Sequence, residues 1–224
     1  MNRRHVRTGV LTLAILAFSA VTATGQTAPD ELSFAFTTAK AKAPAGVTIE
    51  GEFPRQRVID QIVVNFPAGS KFDTAAVTRC TASDQEIEND EQGVAGACPA
   101  ASKVGTGKGT AFLGDGAEPI VFDLGLYNRK GGMILDIMLA GKTAFFAAPS
   151  IAGRKMTIPL TQTPSLNARI TAFELDVAKK GKARKPYLRT PATCPASRKL
   201  SASMAARENG AGTVTTKDTT ACRR

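Results

Sequence analysis

The sequence of 224 residues contains no tryptophan, two tyrosines and a single histidine, His5. His5 falls in the stretch expected to be removed with a signal peptide, and the mature chain, left with no histidine, cannot assemble a Ser-His-Asp or Cys-His nucleophile within one subunit. The His-containing spacings of zinc sites are missing for the same reason. The lack of tryptophan removes the most usual platform for stacking a sugar ring, leaving Tyr127, Tyr187 and the phenylalanines as substitutes. Helix-length amphipathic runs are absent beyond residue 25, and a parallel α/β sheet requires helical crossovers of a dozen or more residues. Long apolar runs are scarce too. The one at residues 10–23 is fourteen residues long, short of the roughly 20 that a transmembrane helix needs.

That run follows Arg3, Arg4 and Arg7, and the two together read as the charged and apolar regions of a signal peptide over residues 1–25. Small residues at Val21 and Ala23, or at Ala23 and Gly25, place the mature start at Thr24 or Gln26. No cysteine stands near the end of the run to carry a lipid anchor. The expectation is a chain released outside the cell or held in its envelope, with no stable membrane span after cleavage. Removing residues 1–25 takes three arginines and no acid from the 29 basic and 19 acidic residues, and leaves a net charge of +7.

Four cysteines remain: Cys80, Cys98, Cys194 and Cys222. An even number in an exported chain supports two disulfides. Three pairings are open to the sequence; the local one, Cys80 with Cys98 and Cys194 with Cys222, is preferred because each pair is flanked by turn-rich sequence and lies about a hundred residues from the other.

The rest of the chain reads as short strands. Leu32, Phe34 and Phe36 alternate with small or polar residues, the period of a half-buried strand. Residues 47–50 form another. Over 58–66, Val58, Ile62, Val64 and Phe66 share one face and Ile59, Val63 and Asn65 the other. Apolar runs at 120–127 and 133–139 flank Asn128 to Gly132, a hairpin signal. Strands are expected again at 104–113, 143–148, 156–160, 170–177, 187–190 and 213–217. Residues 199–207 put Leu200, Ala202, Met204 and Ala206 on one face, with a short helix as the alternative. Between Cys80 and Cys98, five acids in positions 84–91 read as a solvated excursion with at most one helical turn. These features predict an all-β fold over residues 26–224, an antiparallel sandwich or jelly roll of one unit or two small packed lobes. Residues 178–186 are a basic loop or an inter-lobe linker.

The order Cys80, ACPAASKVGTGKG at 97–109, YLRTPATCPASRKL at 187–200 and TTACRR at 219–224 resembles a group of uncharacterised secreted actinobacterial β-rich proteins with paired Cys-Pro motifs. The resemblance spans most of the mature chain. It implies export and the local disulfides, and it carries no catalytic residue across.

Four constellations bear on chemistry. Gly105, Gly107, Lys108, Gly109 and Thr110 superficially resemble a phosphate loop, but Gly109 interrupts the Lys-Thr step and a strand follows where a helix is required. The acids at 84–91 could attract a hard cation, yet lack the spaced positions of an EF-hand loop. Asp123 and Asp136 sit on the two strands of the proposed hairpin and could form the carboxylate pair of a glycoside hydrolase. Lys179, Lys180, Lys182, Arg184 and Lys185 form a basic cluster suited to an anionic surface. No aromatics interleave with it as base stacking would require, so nucleic acid is not the expected partner. No cofactor is expected. The leading reading is an extracellular or envelope-associated structural or binding protein whose partner is an anionic envelope polymer or another secreted protein. The alternative is a carbohydrate-active enzyme using Asp123 and Asp136.

Intact mass of the protein recovered from its native host tests the first of these expectations. The mass should begin at residue 24 or 26 and should gain four alkyl groups only after reduction; a full-length mass with four reactive thiols would place the chain in a reducing compartment.

Overall fold

The computed structural model describes residues 30–54, 57–114, 117–160, 168–208 and 212–224. The expected signal peptide lies outside the described residues. Sixteen strands follow in chain order: β1 (Glu31–Phe36), β2 (Val47–Glu52), β3 (Ile59–Asn65), β4 (Lys71–Phe72), β5 (Lys103–Leu113), β6 (Pro119–Arg129), β7 (Gly132–Leu139), β8 (Lys142–Ala147), β9 (Ser150–Ala152), β10 (Lys155–Pro159), β11 (Ala168–Val177), β12 (Gly181–Lys182), β13 (Lys185–Pro186), β14 (Leu188–Arg189), β15 (Lys199–Glu208) and β16 (Thr213–Ala221). Two short helices, α1 (Asp84–Asn89) and α2 (Val94–Ala97), precede β5.

The all-β class is as the sequence predicts. Instead of two facing sheets, however, one twelve-stranded sheet in the order β1-β2-β11-β5-β6-β7-β9-β10-β3-β15-β16, with β8 also on β7, curls into a nearly closed barrel. Its ladders are antiparallel throughout. With eleven strands on the path, alternation leaves β1 and β16 pointing the same way. They meet along a seam where the Phe34 N–H donates to Asp218 Oδ2 at 2.7 Å. Beyond it, Lys40 and Arg223 form a parallel bridge, with Ala41 N–H to Arg223 O at 2.8 Å.

The Gly-rich segment of β5 shows why the sheet can curl so tightly. A Cβ on Gly107 would lie 2.0 Å from the Glu174 carbonyl oxygen, and one on Gly109 would lie 2.2 Å from the Phe122 ring. These glycines let β11 approach and make room for Phe122 inside the barrel. They are part of a strand, with no helix following to receive a phosphate.

The interior is filled by inward side chains. Phe173, Leu175 and Val177 of β11 are buried while Glu174 and Asp176 are exposed. Residues 199–207 form strand, not helix, with Leu200, Ala202, Met204 and Ala206 buried. At one end of the barrel Phe34 packs edge-to-face on Phe36 and Phe66, Phe66 on Phe72, and Phe72 on Tyr187, with ring centroids 4.8–5.9 Å apart. Each such pair adds about 0.5–1.5 kcal/mol beyond its area burial. The other end is tied by Arg57, whose guanidinium bonds Asp30 and, at 3.2 Å, Glu208.

Two local expectations are corrected. Ile59 is buried with Ile62 and Val64, because the ladder to β15 skips Asp60 between Ile59 and Gln61; a bulge turns a residue of the expected outer face inward. The segment between Cys80 and Cys98 is also more than a solvated excursion. It folds into α1 and α2, which bury Ile87 and Val94 with both cysteines against Tyr127 and Ile134 on the outer face of the sheet.

Both disulfides have the local pairing, Cys80–Cys98 and Cys194–Cys222, at sequence separations of 18 and 28. Chain-entropy estimates give about 3 kcal/mol for loops of this size. Replacing Cys194 and Cys222 together by serine should therefore lower the thermal midpoint by roughly 6–12 °C, a shift that scanning calorimetry measures directly. An unchanged midpoint would show that the loop 194–222 is held by the sheet alone.

Candidate functional site

The basic cluster lies at the barrel end closed by the phenylalanines and Tyr187. Here β12 and β13 form a small hairpin with Gly181 opposite Pro186 and Lys182 opposite Lys185. Lys179, Lys180, Lys182, Arg184 and Lys185 are all exposed on it. The hairpin does not separate two lobes, since β15 and β16, which follow it, join the same sheet.

Packing adds cations from other parts of the chain. Arg189 pairs with Lys71 across β14 and β4. Its guanidinium donates to the Lys42 carbonyl at 3.1 Å and to the Arg184 carbonyl at 3.0 Å, which fixes the hairpin against the 40–44 turn. Buried Thr190 completes the join: its hydroxyl donates to Lys40 O at 2.8 Å and accepts from Ala43 N–H at 2.9 Å. Lys40 lies beside Arg223 through the seam bridge. Lys40, Lys42, Lys71 and Arg223 are exposed. Among the described residues none of these side chains is ion-paired with a carboxylate. The sequence reading identified only the five cations contiguous in the chain. Arg189 lies four residues beyond Lys185, whereas Arg223, Lys71, Lys42 and Lys40 are 38 to 145 residues from the cluster, and no local pattern marks them.

The acidic segment is engaged differently. Ser83 caps α1: its hydroxyl accepts from the Glu86 N–H at 3.2 Å while its own N–H donates to Glu86 Oε2 at 2.7 Å. These bonds to the charged form hold the Glu86 carboxyl below its ordinary value. Asp84 pairs with Arg129 of the hairpin turn at 2.7 Å. Asn128, fully buried, reaches the carbonyls of Thr74, Val77 and Thr78 through its Nδ2 at 2.9–3.2 Å, anchoring the turn that leads into Cys80. Among the described residues no three His, Cys, Asp or Glu side chains converge as a metal site would require.

Asp123 and Asp136 share the outer face of the β6–β7 hairpin but are not opposite one another. Asp123 faces Met138, and Gly125 faces Asp136. Asp123 is exposed, whereas Asp136 is 0 % exposed beneath the cap of α1 and α2. The Thr143 hydroxyl donates to Asp136 Oδ1 at 2.8 Å and accepts from the Val94 N–H at 3.3 Å, so the carboxyl also fastens α2 to β8. Asp136 Oδ2 has no hydrogen-bond partner; it faces the space over Gly125, where a Cβ would stand 3.5 Å away. Burial raises the Asp136 pKa, opposed by the Thr143 bond and by Lys103. Burial and the nearness of Asp136 raise that of Tyr127, over whose ring the Lys103 ammonium sits at 5.8 Å. One carboxyl in water and one under a helical cap do not flank a common bond as a hydrolytic pair must.

The raised pKa has a measurable consequence. The folded chain retains a proton on Asp136 that the unfolded chain releases above the ordinary Asp value of about 4, so this group's contribution to stability declines as pH rises from there through the raised value. Asp136→Asn keeps an acceptor for Thr143 and should match the parent protein at pH 3.5 while melting higher than it at pH 7.5, read as thermal midpoints across the range. A lower midpoint at every pH would mean that the carboxylate is ionised and held by Lys103.

No family model, curated protein or solved structure matches this chain.

Proposed function

We infer that the protein is an extracellular or envelope-associated binding protein whose basic barrel end docks on an anionic envelope polymer. One observation carries this reading. Nine exposed or partly exposed cations, Lys40, Lys42, Lys71, Lys179, Lys180, Lys182, Arg184, Lys185 and Arg189, come from separate chain segments and converge on one end of the barrel, joined there by Arg223. Holding so many like charges together without carboxylate partners opposes folding by mutual repulsion, and an anionic surface relieves it. Rigid support accompanies the charge: Thr190 and Arg189 stitch the segments together through backbone carbonyls.

The two disulfides suit an oxidising environment, and among the described residues no helix is long and apolar enough to cross a membrane. The disulfides support the export that the resemblance to secreted actinobacterial proteins implies. The carbohydrate-active alternative is not proposed, because Asp136 is covered and Asp123 stands alone in water.

Attraction of this kind weakens as salt shortens the Debye length to about 10 Å at 0.1 M. Binding to cell-wall sacculi carrying anionic polymer should accordingly fall steeply with added salt. The triple variant Lys182→Glu, Arg184→Glu, Lys185→Glu should weaken it about tenfold or more at low ionic strength with a thermal midpoint no lower than the parent's, since these side chains are exposed and their reversal relieves like-charge repulsion. Sacculus pelleting with quantified supernatant checks both; salt-independent binding that survives the charge reversal would overturn the reading.

A further inference from the structure

The outer face of β15 carries a second feature that the basic end does not explain. Lys199, Ser201 and Ser203 alternate outward between the buried Leu200, Ala202 and Met204. Ser203 stands between two cross-strand neighbours, Asn65 of β3 and Lys217 of β16. The Asn65 amide donates to the Ser203 hydroxyl at 3.3 Å, so these groups are already aligned in one row. Beside them rises the loop over 193–198, fixed at one end by the Cys194–Cys222 disulfide. Across the row, Arg154 is held in a reciprocal clamp: its Nη1 donates to Phe66 O at 2.7 Å while Phe66 N–H donates to Arg154 O at 2.9 Å. Together these walls enclose an open groove of about 570 Å³.

The lining decides what could fill it. Arg154, Lys199 and Lys217 contribute three cations, Asn65, Ser201 and Ser203 contribute amide and hydroxyl groups, and the lining contains neither a carboxylate nor an aromatic ring. A cation would be repelled. A neutral sugar would find no ring to stack on, the usual source of its affinity. An aliphatic or aromatic ligand would have to strip water from charged and hydroxylic walls. A phosphate or carboxylate on a hydroxylated chain satisfies both sets, pairing with the cations while its hydroxyls exchange hydrogen bonds with Ser201, Ser203 and Asn65. The volume falls within the range of small-molecule sites, and because the groove is open a polymer could lie along it without threading.

Other hollows formed by the described residues differ from it, and one of about 320 Å³ is lined by Glu50, Glu52 and Glu174 with Lys108. The cleft of about 340 Å³ beside α1 is lined by Glu88, Asp90 and Glu91 and has the opposite sign. The void of about 30 Å³ within the barrel is wholly apolar, too small for any ligand beyond a water molecule.

We propose that the groove between β15 and the disulfide-held loop binds the anionic group and neighbouring hydroxyls of a phosphate- or carboxylate-bearing polyol chain. This rests on the anionic-polymer reading and deepens it: the basic end attracts polyanions by charge, and the groove selects those that also carry hydroxyls.

Isothermal titration of the full mature chain with poly(glycerol phosphate), polygalacturonate, inorganic polyphosphate and neutral dextran at low salt separates the two. The double variant Lys199→Glu, Lys217→Glu should weaken one or both of the hydroxylated polyanions about tenfold or more and leave polyphosphate nearly unchanged. Ser201→Ala with Ser203→Ala should erase the preference for hydroxylated polymer over polyphosphate. All four positions lie on the solvent side of their strands, so thermal midpoints should hold. Whichever of poly(glycerol phosphate) and polygalacturonate binds more tightly identifies the anion. If the Lys199/Lys217 variant binds like the parent while the hairpin triple variant is weakened, the groove proposal fails and the surface reading stands. If the parent protein binds no polyanion, both fail. Equal binding of dextran would overturn the requirement for charge.

Discussion

An antiparallel sheet with an odd number of strands on its path cannot close on itself with an antiparallel ladder, and the architecture turns on how this chain meets that constraint. The edge strands β1 and β16 arrive side by side pointing the same way, and a side chain, Asp218, supplies an acceptor that a backbone carbonyl would give elsewhere in the sheet. The chain then continues past both edges to form the Lys40–Arg223 bridge, and the adjacent Cys222 is bonded to Cys194. Because of that arrangement the 40–44 turn, the 188–195 segment and the C-terminal residues share one end of the barrel. The cationic end and the wall of the β15 groove both descend from the seam.

Charge is distributed with the same economy. Two acids of α1, Asp84 and Glu86, are turned toward Arg129 and toward the helix's own cap, on the flank of the barrel. Among the described residues the cations at the end have no carboxylate partner, and Arg189 donates to two backbone carbonyls. The apolar face of the sheet is the inner one, filled with side chains, and charged residues such as Glu50, Lys108 and Glu174 point outward. That polarity is the reverse of a barrel that crosses a lipid bilayer, whose outer band is apolar.

Much of the fold is legible in the sequence where period-two alternation is clean. Phe34 with Phe36, Phe173 with Leu175 and Val177, and Leu200 through Ala206 each declare a buried face, and the structure buries them. Alternation fails where the register breaks: at Asp60 a bulge inverts the expected side of Ile59, and between Lys103 and Gly105 another shifts β5 against β6. Whether strands make two sheets or one curled sheet depends on close approaches at Gly107 and Gly109, which a glycine count cannot distinguish from turns. The candidate site was legible only in part. The 179–185 cluster is contiguous and visible, whereas Lys71 joins it through a two-residue ladder to Arg189 and the groove unites residues 65, 199 and 217 of three strands with residue 154 of the turn between β9 and β10.

The position of the seam in the chain also governs the order of events in folding. A polypeptide that emerges N-terminus first completes β1, β2 and β3 early, yet β1 has no second neighbour, and β3 lacks β15, until residues near 200 to 221 are present. Contacts of such long sequence separation slow folding. The first third of the chain therefore spends its early lifetime as unsatisfied strand edge, dependent on the last hairpin to arrive. A truncation before β15 would expose the flank of β3 as an adhesive edge, favouring aggregation over a smaller stable barrel.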